Sequence, residues 1–165
     1  MKIDLLIEDS AWDEPRLGRL AKAAGAVALA ELGLNPAQFG ISLLACDDAR
    51  IAALNDAFRG QPAPTNVLAW PAGVRTAAAP GKLPHLPPPR STGPPLELGD
   101  IAIAHGVVTR EAKERCLDLD DHLTHLIIHG LLHLLGFDHM TDPDAALMEG
   151  LETRILAGLG VADPY

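Results

Sequence analysis

Hydrophobic positions recur along the chain with two periods, and each change of period marks an element. In KIDLLIE, near the N-terminus, Ile3, Leu5 and Ile7 fall at every second position, the pattern of a half-buried strand. From Pro15 to about Leu32 the spacing becomes helical. Leu17, Leu20, Ala21, Ala24, Val27 and Ala28 share one stripe, Pro15 suits a first turn and Gly33 a C-terminal cap. FGISLLAC, ending at Cys46, reads as a second strand. Asp47 or Asp48 then caps a helix whose stripe is Ile51, Leu54, Asn55 and Phe58 and which closes at Gly60. TNVLAW (65–70) predicts a short third strand and LGDIAIAH (98–105) a fourth.

Between these last two strands, residues 71–97 hold eight of the 14 prolines, which removes backbone donors and forbids a regular helix. A loop or irregular hairpin arm is expected there. A short helix over 107–116 and a long, mostly buried one over 119–135 follow. The last helix is capped by Thr141 or Asp142 and runs through Leu147, Leu151, Ile155 and Leu156. The order predicts an α+β or mixed α/β fold: a four-stranded mixed sheet with about five helices, the long apolar helix buried against the sheet. A length of 165 residues suits one domain, 1–165, with the arm at 71–97 as its irregular part.

Composition narrows the class. Aromatic residues make up 4% of the chain, so the core falls to Leu, Ala, Ile and Val. The N-terminus meets acidic residues by position 4 and has no long apolar run, and no stretch reaches the roughly 18 apolar residues of a membrane span. A cytoplasmic protein is expected, with no membrane partner and with Cys46 and Cys116 as buried thiols. The net charge of -9 argues against indiscriminate nucleic-acid binding, and no DNA partner is expected. Its distribution is uneven: residues 44–110 carry 5 acids and 6 bases, residues 111–165 carry 11 and 3. A polyanion would therefore meet the side built by the middle segment, near Arg50 and Arg59.

Candidate chemistry lies in HGLLHLLGFDH, residues 129–139. Five of the seven histidines fall between positions 122 and 139. His129 and His133, four apart, project from one helical face and can converge on one ion. Gly136 can end the helix and turn the chain back, so that His139 approaches from outside as a third nitrogen ligand. Three neutral donors and an open fourth position define a catalytic zinc site more than a structural one, although nickel, copper or iron suit the same donors. The spacing is that of a metalloprotease zinc helix, but Gly130 stands where the general-base glutamate belongs, which disfavours peptide hydrolysis. Asp138 is placed to orient an imidazole or accept a proton, and His125 to support a ligand or bind substrate phosphate. His122 is expected in the solvated first turn beside Asp120 and Asp121.

With LNDAFRG (54–60), PTNVLAWP (64–71), LGDIAI (98–103), HLIIHG (125–130), MEGLETRIL (148–156) and a terminal DPY, the histidine segment resembles the YbeY family of metal-dependent endoribonucleases, also called rRNA maturation factors. The resemblance implies zinc ligation by His129, His133 and His139, and a substrate-facing, catalytic Arg59 in the active-site cleft. It also implies cleavage of single-stranded rRNA precursor in small-subunit 3′-end maturation and ribosome quality control, with the small ribosomal subunit and an assembly GTPase as partners. Asn66 of the TNVL block is a candidate for substrate binding, and Asp138 for the proton acceptor. Two departures stand out: Ala69-Trp70 replaces the family's Ser-Phe, and the 71–97 segment is longer than the usual connection. The alternatives are a non-catalytic ribosome-assembly factor with a structural zinc and, more distantly, a zinc peptide or ester hydrolase.

Overall fold

A computed structural model describes residues 1–88 and 92–165; residues 89–91 of the proline-rich arm lie outside the described residues. The elements are β1 (Lys2–Ile7), α1 (Glu14–Glu31), β2 (Phe39–Cys46), α2 (Asp48–Arg59), β3 (Val67–Pro71), β4 (Leu96–Ala104), α3 (His105–Glu114), α4 (Leu119–Leu134) and α5 (Asp142–Gly158). Local chemistry explains most of their bounds. Asp13, Asp47, Asp118 and Thr141 each accept a hydrogen bond from a first-turn backbone N–H of α1, α2, α4 and α5, an arrangement worth about 1 kcal/mol apiece. α3 is different. It begins at His105, two residues earlier than its apolar spacing suggests, with no cap from its own sequence; Asp48 of α2 accepts from Val107 N at 2.9 Å instead.

The four strands form one mixed sheet in the order β1-β2-β4-β3, parallel except for β3, which runs antiparallel at the edge. Strand alternation divides the side chains between the two faces. Ile41, Leu43, Ala45, Ile101 and Ile103 pack against α1, α4 and α5 in the larger core, while Cys46, Leu68, Ala102 and Ala104 meet Ile51 and Val107 on the other. α4 therefore lies flat on the sheet with Leu123, Ile127, Ile128, Leu131 and Leu134 buried, and this fixes its last two turns beside β3 and β4. At Gly99 the β2–β4 register slips, and φ is +143°. A Cβ there would come within 2.1 Å of Trp70 O, so only glycine permits the bulge that seats β3.

Three expectations are corrected. Of the α2 stripe only Ile51 and Asn55 are buried; Phe58 is 65% exposed, with Trp70 of the edge strand β3 as its ring neighbour rather than the buried core. His122 is buried, not solvated, since α3 packs over the first turn of α4 and Glu111 accepts its Nε2–H at 2.9 Å. Cys46 is buried, but Cys116 is exposed in a left-handed turn (φ 54°) between α3 and α4. The arm is a long connection across the β3–β4 hairpin, without helix or strand among its described residues 72–88 and 92–95.

Candidate metal centre

The last two turns of α4 carry His129 and His133 on the face beside the β3 edge. The helix stops at Leu135; Gly136 (φ +93°) reverses the chain, and His139 returns toward the other two rings. The ring centroids of His139 lie 5.3 Å from His129 and 5.0 Å from His133. One nitrogen from each of the three lies within 4.8 Å of the others, so the sequence-predicted triad converges on one point.

The hydrogen bonds behind the triad assign the tautomers. Glu152, on α5 and fully buried, accepts from His125 Nε2 at 2.8 Å, from His129 Nδ1 at 2.9 Å, and from the Tyr165 hydroxyl. Burial alone would raise its pKa, but these three donors outweigh it and hold the carboxyl at about 2, so it is a carboxylate and each partner is a donor. Burial and the attached carboxylate push the Tyr165 phenol well above its ordinary range. On His133, Nδ1 faces the Phe137 carbonyl at 3.1 Å and must carry its proton. With both Nδ1 atoms donating, the two Nε2 atoms are the ones turned to the shared point, and they face each other across 3.0 Å. Nitrogens so close share one cation, a proton or a metal ion, and two nitrogens on one tetrahedral zinc would stand about 3.3 Å apart. The donor set fits a metal ion. Burial, then the neighbouring His129 and His139, lowers the His133 pKa to about 4, so it stays neutral and able to ligate.

The triad opens into a cleft of about 1150 Å³ between the β3 edge, the arm and the 136–140 turn, whose lining includes Arg59, Asn66, Lys82 and Asp138. Arg59 sits at the C-terminus of α2, where Gly60 ends the helix, and among the described residues no carboxylate or carbonyl engages its guanidinium. Asp138, in the cleft lining, uses Oδ1 to accept from His139 N at 2.7 Å, and its Oδ2 has no partner among the described residues. Asn66 donates to both Glu111 oxygens (3.2 and 3.0 Å) and accepts from Val67 N, so its amide ties the start of β3 to α3. His125 lies behind His129, on Glu152, outside the cleft lining.

Sequence reading missed Glu152, Tyr165 and Arg75. Glu152 had a signal: it falls at a core position of the Met148, Leu151, Ile155 stripe, where an acid needs a buried partner. Arg75 donates to Leu134 O at 3.1 Å, capping α4, while its own carbonyl packs on Gly136 so closely that a Cβ there would sit 2.3 Å away. At Gly130 a Cβ would meet the Ile101 side chain at 3.0 Å, so a side chain at the position of the protease glutamate would crowd the sheet.

A mixed α/β fold that sets three histidines and an arginine around one cleft defines a class of metal-site proteins, and comparison with known proteins places the chain within it. Residues 3–160 match the family described as Endoribonuclease YbeY. A protein so named from Dinoroseobacter shibae is 57% identical over 99% of this chain and 90% of its own; others from Jannaschia and Ruegeria pomeroyi are 54% and 55% identical, covering all of this chain and 100% and 98% of theirs. The solution structure of a Thermotoga maritima protein shares the fold with a TM-score of 0.57 at 21% identity, over 96% of this chain and 91% of that one. The chain belongs to the endoribonuclease YbeY family.

Proposed function

We propose that the protein is a zinc-dependent endoribonuclease that cuts single-stranded regions of rRNA precursors. Family membership supports RNA hydrolysis in rRNA processing. The observation that supports the metal requirement is the convergence of one nitrogen each from His129, His133 and His139 within 4.8 Å, in a cleft that also holds Arg59, which has no partner among the described residues. When bound, zinc supplies Lewis-acid polarisation of a phosphoryl oxygen and acidifies water. The protein's own groups do the rest. Arg59 binds the scissile phosphate through bidentate N–H bonds and stabilises its added charge. Asp138 accepts the proton of the attacking hydroxyl at Oδ2, and Glu152 with the Phe137 carbonyl keeps the ligand imidazoles in register. Asn66 and His125 act by position, one holding the cleft wall and the other the carboxylate behind His129.

A preference for single strands is part of this reading, and the arm supports it by adding residues 72–80, Lys82 and Pro84 to a cleft lining shared with Ala69 and Pro71 of β3. By family resemblance the reading extends to small-subunit 3′ ends and ribosome quality control in the cytoplasm, with the small subunit and an assembly GTPase as partners. No helix among the described residues is long and apolar enough to cross a membrane. The one-domain organisation of residues 1–165 belongs to the same proposal. Gly130, which offers no carboxylate beside His129, speaks against peptide hydrolysis.

Cleavage of a single-stranded RNA by zinc-loaded protein is the direct test. His133→Ala should abolish it, and Arg59→Ala should reduce it by about 10²-fold or more with the fold intact. Equal cleavage by all three proteins would trace the activity to a contaminant. Intact RNA with every preparation, beside normal metal binding, would favour an assembly factor with a structural ion.

A further inference from the structure

Phe58 is not accounted for by folding. Its helical spacing places it with the buried stripe of α2, yet it is 65% exposed. The other aromatic side chains have clear roles: Phe39, Phe137 and Trp12 are buried, and Tyr165 anchors Glu152. Phe58 instead packs on Trp70, with ring centroids 5.2 Å apart and planes inclined at 57°. Trp70 is half-buried over the Ile51, Leu68 and Ala102 cluster, which fixes its ring, and α2 fixes the backbone under Phe58. The result is a pre-organised aromatic pair with uncovered surface.

Its position supplies the reason. Phe58 directly precedes Arg59, and Trp70 lies between Ala69 and Pro71, and Arg59, Ala69 and Pro71 all line the metal cleft. Because side chains alternate across β3, the strand presents Ala69 to the cleft and Trp70 to the opposite face. Among the described residues no strand lies beyond β3, so a chain whose phosphate is held by Arg59 can turn over this edge and meet the two rings. We propose that Phe58 and Trp70 form a stacking subsite, outside the metal cleft, for an unpaired base of the RNA strand that Arg59 engages. The inference rests on the RNA-cleaving reading above. Uncharged rings stack on the π-face of any base and cannot reach a base enclosed in a duplex, so the subsite adds affinity for single strands without a sequence requirement.

The test is equilibrium binding of fluorescein-labelled single-stranded oligoadenylate to zinc-loaded protein, followed by anisotropy while gels show the probe intact. Phe58→Ala should weaken binding about tenfold, and Phe58→Tyr should restore it. The exposure of Phe58 makes both variants safe for folding, which circular dichroism checks. In a Trp12→Phe background Trp70 is the sole tryptophan, and unlabelled oligoadenylate should quench its emission. If the oligonucleotide binds in an Arg59-dependent manner but Phe58→Ala binds like the parent and Trp70 emission does not move, the subsite is wrong and the nuclease reading stands. If the parent protein binds no RNA, the reading beneath it fails as well.

Discussion

At the scale of single residues, the site depends on a carboxylate that never reaches the cleft. Glu152 fixes His129 through Nδ1, and replacing its charge should loosen the ligand without moving it. Glu152→Gln is expected to weaken zinc binding by about 10- to 100-fold, measured by competition with a chromophoric chelator. His133 sets the pH response of the metal-free protein. The unfolded chain takes up a proton near 6.5 and the folded one near 4, because burial and two neighbouring imidazoles resist a charge there. Between these values the unfolded state binds more protons, so the His133 contribution should be complete by neutral pH and stability should fall by roughly 2 to 3 kcal/mol as pH drops from 6.5 toward 4. Urea midpoints in the presence of chelator would show this; a flat profile would contradict it. The ligands were legible because a helix repeats nearly every four residues, so His129 and His133 announce a shared face. Their supports were not, since Glu152 arrives from another helix and Tyr165 from the chain's far end.

At the scale of elements, caps and periodicity made most bounds readable. α3 shows where such reading stops: its cap is Asp48, 59 residues away, and nothing local to His105 reveals it. Phe58 fails for a related reason, because helical spacing names a face but not how deeply each position on it is covered. The turn after α4 was readable from Gly136, though not its contact with the arm. Gly136→Ala would strain a backbone at φ +93° and drive a methyl into the Arg75 carbonyl. The expected cost is about 2 to 3 kcal/mol, a fall in Tm of roughly 5 to 10 °C by thermal denaturation, together with weaker zinc binding as His139 is displaced.

At the scale of the whole molecule, strand order and the antiparallel placement of β3 are products of long-range packing that sequence period does not encode. They bring Arg59, Arg75 and Lys82, all from the least acidic segment, into one cleft lining with a histidine centre carried by an otherwise acidic C-terminal third. The arm is held at two points on either side of His139: Arg75 on Leu134 and Gly136, and Gly81 N on Asp144 Oδ1 at 2.7 Å. The turn that brings the third imidazole is thus also the arm's mooring. Withdrawing the ion frees that turn, and the arm should slacken with it. Trypsin, whose targets Arg75 and Lys82 both lie there, should nick the chelated protein several-fold faster than the zinc-loaded one. The proline-rich segment then serves as a gauge of ion loading, and a partly loaded preparation can be recognised on a gel before any RNA is added.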